Sequence, residues 1–588
     1  MIEEKTMHFE KINIIHFRNF ENLDIKLNNK NVIFGLNDVG KTNFLNAIRA
    51  VFDYKFRNSI NEKDFFEMDV HNPIDIVVSL SLEPTIVDED DQLLIAHLKG
   101  ALHDNVSHPN TIKIRLKISW DEKQRDTLIE MFWGNNDNPT ELSAIPTKGI
   151  SRTEIDNLFL PVYMEPLNDG VKDFQRSRNS LLSFFEESDP TLTEQIQVKN
   201  SEINDLLSKS DIVTGLQEEL TSEYSDLRDE HSKIILNSEQ QIGRLSTGLK
   251  PYVQLENNSS LYPSSGDGRK KFLSYAIKNL LAKKSEQQKI IIHLIEEPEN
   301  SLHKSLQKSL SRKIFKPNDP NFYKYIFLTT HSSEIVSEMD DTMLIRLGLS
   351  NSHSTMFTVP NNFKNIRKMY SEQVSEAIFY NKVFLVEGPS EKILFESILS
   401  INNVFIEEHG GYILNIRGIG FKPYFNLLTG IGINVFVRTD NDAKPNKSGE
   451  QDYKFTGVKR LIDLFNNNKH VLKYIDKWSK GVHYEKVVND LETQKENIYT
   501  NNQDIKELRK QNLFISRNDL EHDMVLASNE NIIADLKDKD FTSATEVVDY
   551  LQSSKQKNMV EFVKVMSHTT SQNLYESLDG LKEFVDAN

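Results

Sequence analysis

A chain of 588 residues with 38% hydrophobic and 27% charged side chains is longer than one hydrophobic core supports, and reads as two or three globular units. It has no cysteine, which excludes disulfides, Cys-based zinc sites and thiol nucleophiles and suits a reducing cytoplasm, and no apolar run approaches the roughly 20 residues that span a bilayer. The formal net charge of −17 argues against a uniformly basic nucleic-acid binder, although carboxylates clustered to hold metal ions would contribute to that same total. The first residues, Met-Ile-Glu-Glu-Lys, lack the basic and apolar regions of a secretory signal, so a cytoplasmic protein with no membrane partner is expected.

In chain order, strands are expected at Lys11–Phe17, Leu23–Leu27 and Asn31–Phe34, followed by a glycine-containing loop and a helix from Thr42. The loop Gly35-Leu-Asn37-Asp-Val-Gly40-Lys41-Thr42, with Asn43 next, matches G-x-x-x-x-G-K-[ST] between a strand and a helix. In that setting backbone N–H groups cradle phosphates, Lys41 reaches the β/γ oxygens, and the Thr42 hydroxyl ligates Mg2+. Apolar alternation places further strands at Asp75–Leu82 and Thr111–Ser119, completing a first head segment over 1–165. Residues 166–258 then turn polar, with apolar positions at helical spacing as in IVTGLQEELTSEYSDLRDEH, and read as an inserted helical arm suited to dimerisation.

The head resumes over 259–370. Ser264-Ser265-Gly266-Asp267-Gly268 precedes a helix expected at Lys270–Lys283 and is similar to an ABC signature, in which Ser265 and Gly266 would grip a γ-phosphate held by an opposing subunit. Asp267 stands where that signature has glycine, and its charge repels a γ-phosphate, which points to slow hydrolysis; a Ser/Gly turn capping a helix is the plainer reading. The strand Ile290–Ile295 ends in Glu296 and Glu297 as a Walker B motif does, the first acid serving the Mg2+ shell and the second orienting the attacking water. A helix at Leu302–Ile314 and a strand at Tyr325–Leu328 follow, and His331 lies just beyond, where ABC-type ATPases carry a switch histidine.

A second α/β series, over 371–588, has strands at Val383–Val386, Tyr412–Asn415 and Val435–Arg438. The first ends on Glu387-Gly-Pro-Ser-Glu391 and the third on Asp440-Asn-Asp442. In a parallel sheet such residues converge at the C-terminal strand ends, where grouped carboxylates repel unless Mg2+ or Mn2+ neutralises them. Residues 445–515 are charged and rich in Asn and Lys, with a long helical stretch near Lys486–Arg509. On the residues alone, Asp519-Leu-Glu521-His-Asp523 reads as a capped helix start and Lys555 as a solvated lysine.

An ABC/SMC-like head followed by this second series resembles the ATPase-plus-TOPRIM arrangement of OLD-family nucleases. The segments GLNDVGKTNFL, YPSSGDGRKKFLSY, LIEEPE, THS, LVEGPSEKILFE and RTDND are similar to those of the nuclease subunits of Gabija anti-phage systems. The resemblance implies an α/β protein: an ABC/SMC-like ATPase head with an inserted helical dimerisation arm, then a TOPRIM domain with a Rossmann-like parallel sheet. It implies an endonuclease that cuts double-stranded DNA with Mg2+ or Mn2+, is held off by ATP, forms a homodimer or tetramer, and works with a UvrD-like helicase. It also implies that Glu387, Glu391, Asp440, Asp442, Asp519 and Glu521 hold catalytic metal, that Lys555 stabilises charge on the scissile phosphate, and that Thr42 and Glu296 serve the nucleotide's Mg2+. The competing reading is a RecF/SMC-type nucleotide-gated clamp or repair scaffold whose TOPRIM unit binds DNA without cutting it.

Overall fold

Strands whose residues are buried on both faces read as unbroken apolar runs, whereas half-exposed strands alternate, and both kinds occur here. The structure is a computed structural model. It describes residues 7–82, 89–97, 101–102, 106–146, 152–166, 199, 202, 204–206, 208–228, 232–238, 249–255, 262–263, 267–283, 289–317, 322–338, 342–350, 353–359, 373–416, 420–445, 452–467, 484–486, 491–501 and 503–587. The chain divides into two units, 1–358 and 359–588. Among the described residues no helix is long and apolar enough to cross a membrane.

In the first unit an antiparallel sheet runs, in spatial order, Phe20–Lys26, His8–Phe17, Ile74–Ser81, Thr111–Asp121, Asp126–Gly134 and Ser143–Ala144. A second sheet runs His353–Thr358, Met343–Ser350, Lys30–Gly35, Tyr325–Thr330, Ile290–Glu296 and Phe159–Met164, parallel except at its first pair. Helix Lys41–Phe52 supplies Phe44, Leu45, Ile48, Val51 and Phe52 to a core that also takes Ile12 and Ile114 from the first sheet and Ile292 and Phe327 from the second. Phe9 meets Phe52, Tyr325 and Phe327 edge-on, with centroids 5.1 to 6.1 Å apart. The apolar face of the helix thereby fixes the direction in which the loop before it points.

The helical arm is only partly as expected. Asp211–Leu227 is a helix with Val213, Leu220, Tyr224 and Leu227 buried. Ser232–Ser238 and Leu249–Leu255, expected within the same helical arm, are strands that pair antiparallel in a three-stranded sheet with Tyr262–Pro263. The reason is local: Ser232, Ile234 and Leu236 are buried while Lys233 is exposed and Ile235 only half-buried, a period of two from a β-branched segment. Most of 166–200 and all of 239–248 lie outside the described residues, and dimerisation through this arm stays a proposal.

The second unit is built on a parallel sheet ordered Gly411–Asn415, Lys382–Val386, Asn434–Thr439 and Leu513–Ile515. Its first strand in sequence lies between the second and the third. The chain therefore reverses its direction of growth at Lys382–Val386, which opens a crevice at the C-terminal ends of that strand and of Asn434–Thr439. Helices Pro389–Ile401, Leu520–Asp535, Ala544–Ser553, Lys555–Val565 and His568–Ser577 pack into one core with Phe384, which lies 5.5 Å from Phe395 and 5.3 Å from Phe584. The helix expected near Lys486–Arg509 is present as Leu491–Asn501 and Gln503–Arg509, while Tyr484–Lys486 instead joins Asp452–Phe455 and Ala443–Pro445 in a small antiparallel sheet.

Candidate nucleotide and metal sites

Strand Lys30–Gly35 lies beside Tyr325–Thr330, which lies beside Ile290–Glu296. The residues following those strands therefore emerge together: the P-loop, His331, and the pair Glu296 and Glu297. Gly40 takes the left-handed conformation (φ 97°), and a Cβ there would stand 2.1 Å from Asn19 Nδ2, so the loop closes only with glycine. Lys41 is buried and donates to the carbonyl oxygens of Gly35 and Leu36. Burial draws its pKa down to about 8, against the opposing pull of Glu297, Glu299 and Asp38.

The Thr42 hydroxyl donates to Glu296, and the hydroxyl of Tyr163 donates to the other oxygen of the same carboxylate. Burial, then the bond to Glu296, pushes the Tyr163 phenol well above its usual range, and the Arg49 guanidinium lies 3.8 Å from its ring centroid. Asn43 bridges Arg18 (2.9 Å) and Asn19 (2.7 Å), while Asn37 is exposed on the loop. His331 Nε2 lies 3.0 Å from Glu297 Oε1, and the His331 N–H donates to Glu299. Glu297 itself has φ 41°, and its carbonyl accepts from Lys271 at 2.9 Å. A non-glycine residue in this region is strained, and such strain collects at functional sites. Ser265 and Gly266 lie outside the described residues.

In the second unit Glu387 follows Val386, and Asp440 follows Thr439 on the adjacent parallel strand. Glu387 Oε1 accepts from the Thr439 hydroxyl and from Asp440 N at 3.2 Å, so the two strand ends are tied through one carboxylate. Asp440 Oδ1 accepts from Leu520 N (3.1 Å) and Ser516 Oγ (3.3 Å), which brings in the start of helix Leu520–Asp535. Asp519 caps that helix, taking the N–H of His522 at 2.9 Å, the His522 ring at 2.7 Å and Gln552 Nε2 at 2.9 Å. Lys555 Nζ stands 3.3 Å from Glu521 Oε2, whose side chain is buried.

These acids share one electrostatic field. Burial first, then Glu391, Glu387 and Asp519, raise the Asp440 carboxyl well above the ordinary range, with Arg438 pulling the other way. Burial would lower Lys555, but Glu521 and Asp440 hold it above its usual value. Carboxylates from residues 387, 440 and 519 thus share one field, and Glu521 is joined to it through Lys555.

Glu391 is differently placed from its expected neighbours. Its Oε2 accepts the N–H groups of Glu387 and Gly388, and its Oε1 faces Arg438 Nη1 at 3.3 Å, contacts that a metal ion would have to replace. Arg438 is fully buried and reaches Asp523 with its other nitrogen at 2.8 Å. Asp442 is held by Arg460, whose Nη2 is 2.9 Å from Asp442 Oδ2 and whose Nη1 is 2.6 Å from Glu387 Oε1. Among the described residues no three His, Asp or Glu side chains stand in ready metal-ligating geometry, and guanidinium groups hold Glu387, Glu391, Asp442 and Asp523.

Sequence reasoning missed Tyr163, Arg438, Arg460 and Gln552. Arg438 lies within the RTDND segment that carries the resemblance; the other three carry no motif signal.

Residues 7–336 match the family described as AAA ATPase domain, and residues 378–442 match "Overcoming lysogenization defect protein-like, TOPRIM domain". Endonuclease GajA of Bacillus cereus strain VD045 is 36% identical over 579 residues, covering 97% of each chain. Endonuclease GajA of Bacillus cereus strain HuB5-5 is 22% identical over 335 residues, 50% of this chain and 47% of that protein. DNA replication and repair protein RecF of Listeria welshimeri shares 42% identity over 60 residues, only 10% of this chain and 16% of its own. The relation to the first endonuclease is continuous through both units, and this chain therefore belongs to the GajA endonuclease family, with an AAA ATPase domain followed by an OLD-like TOPRIM domain.

Proposed function

We propose that this endonuclease cuts double-stranded DNA with Mg2+ or Mn2+ in anti-phage defence in the cytoplasm, and that ATP bound to its first unit holds it off. The observation that carries the reading is the grouping of Glu387 and Asp519 around Asp440 at the sheet's reversal point, with Lys555 linking Glu521 to them, where Asp440 is costly to ionise beside its neighbours. Hard carboxylate oxygens with more negative than positive charge are a donor set that suits Mg2+ or Mn2+. Glu387, Asp440, Asp442, Asp519 and Glu521 would hold the ions, joined by Glu391 if it exchanges its present partners. Metal bound there supplies an activated water and charge stabilisation at the departing 3′ oxygen. Lys555, anchored beside Glu521, would face the scissile phosphate and stabilise the charge that builds on it.

In the first unit the backbone of Gly35 to Gly40 would cradle the nucleotide phosphates, with Lys41 on the β/γ oxygens, Asn37 and Asn43 flanking them, and Thr42 with Glu296 on the accompanying Mg2+. Glu297 and His331 would face the γ-phosphate. Ser265 and Gly266 would come from a second copy, so a homodimer or tetramer is implied, and a UvrD-like helicase is the proposed companion. ATP shifts the nuclease only if two arrangements of the protein bind it differently.

The test is nicking of supercoiled plasmid by the full chain, with Mg2+ or Mn2+ and with EDTA, across an ATP titration at constant free metal. Cleavage that needs metal and falls with ATP in wild type but not in Lys41→Ala is the expected result. Metal-independent cleavage, or an identical ATP response in both proteins, overturns the corresponding half of the reading.

A further inference from the structure

We infer that Arg460 is a built-in counter-ion that bridges Glu387 and Asp442 and competes with metal for them, an inference resting on the metal reading of this crevice. Its placement is fixed by backbone. Thr456 N and Gly457 N, at the start of helix Thr456–Asn467, donate to the carbonyl of Asp442 at 2.7 and 3.2 Å. A Cβ on Gly457 would stand 2.1 Å from the Asp440 carbonyl oxygen, so only glycine lets the helix seat this closely on the Asp440–Asp442 turn. Arg460 follows three residues later, on the same helical face, and points back into the crevice.

There its fork spans ligands from two different strand ends: Nη1 to Glu387 Oε1 at 2.6 Å and to the Thr439 hydroxyl at 3.0 Å, and Nη2 to Asp442 Oδ2 at 2.9 Å. A planar guanidinium suits such a two-carboxylate bridge, which a single ammonium does not reproduce. The neighbouring cations do different work, since Arg438 is buried between Glu391 and Asp523 and Lys555 faces Glu521. Arg460 is 36% exposed at the end of a long stem, so it has a route outward when a doubly charged ion takes over the carboxylates. Without that ion, the same side chain keeps two mutually repelling ligands in place.

The test is Mn2+ binding to the full chain in the absence of DNA and nucleotide, read from the electron paramagnetic resonance signal of free Mn2+. Wild type, Arg460→Gln, Arg460→Lys and Asp440→Ala are compared. Removing the competitor in Arg460→Gln should tighten Mn2+ binding by about threefold to tenfold, the weight of a partly exposed ion-pair set. Arg460→Lys keeps the charge but not the bridge, and should fall between wild type and Arg460→Gln. A residue that merely supports the site would give the opposite sign. If wild type binds Mn2+, Asp440→Ala does not, and Arg460→Gln binds equally or more weakly than wild type, the inference fails and the metal reading stands. If wild type shows no saturable Mn2+ binding, both fall together.

Discussion

The P-loop region and the acidic crevice both open at the C-terminal ends of adjacent parallel strands, yet opposite charges are under stress in them. Around the P-loop Glu296 takes two hydroxyls, Glu297 faces His331, and Glu299 takes a backbone N–H on one oxygen, although burial still raises its carboxyl. The larger strain there falls on ammonium ions, since burial draws Lys41 and Lys271 each down to about 8. In the crevice the stressed group is a carboxylate. Among the described residues, Arg438, Arg460 and Lys555 form ion pairs with Glu391, Asp523, Glu387, Asp442 and Glu521, and Asp440 beside them is pushed well up. The first site therefore gains most from an incoming polyanion and the second from incoming cations, so the sign of the strain points to the ligand.

The strongest way to break that comparison is Asp440→Asn. The amide keeps an acceptor for Leu520 N and Ser516 and removes one charge from a repelling group. Cleavage should fall by about 10³-fold or more, roughly 4 kcal/mol of lost transition-state stabilisation. Thermal stability at neutral pH should stay level or rise, because the ionised carboxylate is a burden on the fold. Retained cleavage of plasmid, or a Tm several degrees lower, would show that Asp440 is not a strained metal ligand.

A second and somewhat smaller effect concerns what keeps the crevice from flying apart. Arg438→Met leaves Glu391 and Asp523 buried without their cation, which should cost about 3–5 kcal/mol of stability. Burial already raises Asp523 to about 6 and raises Glu391 as well, in both cases against the pull of Arg438. Acids whose folded pKa lies above the unfolded value weaken the fold where they are ionised, and that weakening vanishes at lower pH. The loss in Arg438→Met, from denaturant unfolding, should therefore be larger at pH 8 than at pH 5, and adding Glu391→Gln and Asp523→Asn should restore part of it. Equal losses at both pH values would assign the effect to lost packing against Phe395 instead.

How much was legible follows from how each site is assembled. The P-loop is contiguous and its phosphate cradle is made by backbone, so glycine spacing alone locates it, and helix Lys41–Phe52 follows as expected. Glu387 and Asp440 were legible because each ends an apolar strand whose partner the βαβ spacing supplies. Asp519 looks like an ordinary N-cap and is one, yet the same carboxylate also acts on Asp440, 79 residues away in sequence, through a field that no local pattern encodes. Arg460 and Tyr163 were silent for the same reason. The strands at Ser232–Ser238 and Leu249–Leu255 are hidden in a polar stretch whose scattered apolar residues suit a helix, and only the alternation of Ile234 and Leu236 marks the first of them.

The mildest prediction sharpens the comparison through pH. Lys41 has an ordinary pKa of 10.5 and is drawn to about 8 by burial, so the nucleotide-free protein gains stability as pH rises from about 8 to 10.5 and the penalty of the buried charge is relieved. Phosphates at the P-loop favour the charged ammonium, so above pH 8 ATP binding must take up a proton. Affinity should then fall with rising pH by at most about tenfold per unit, since one unit of pKa shift is worth about 1.4 kcal/mol. Calorimetry at pH 7, 8 and 9 in buffers of different ionisation enthalpy measures both the affinity and the proton uptake. Lys41→Met should bind ATP weakly at every pH and take up no proton. The crevice should behave in the opposite sense: raised Asp440 must lose its proton to hold a cation, so Mn2+ binding should tighten as pH rises. Two slopes of the same sign would mean that charge strain does not distinguish the sites, whereas opposite slopes in one protein would tie each site to the charge of its ligand.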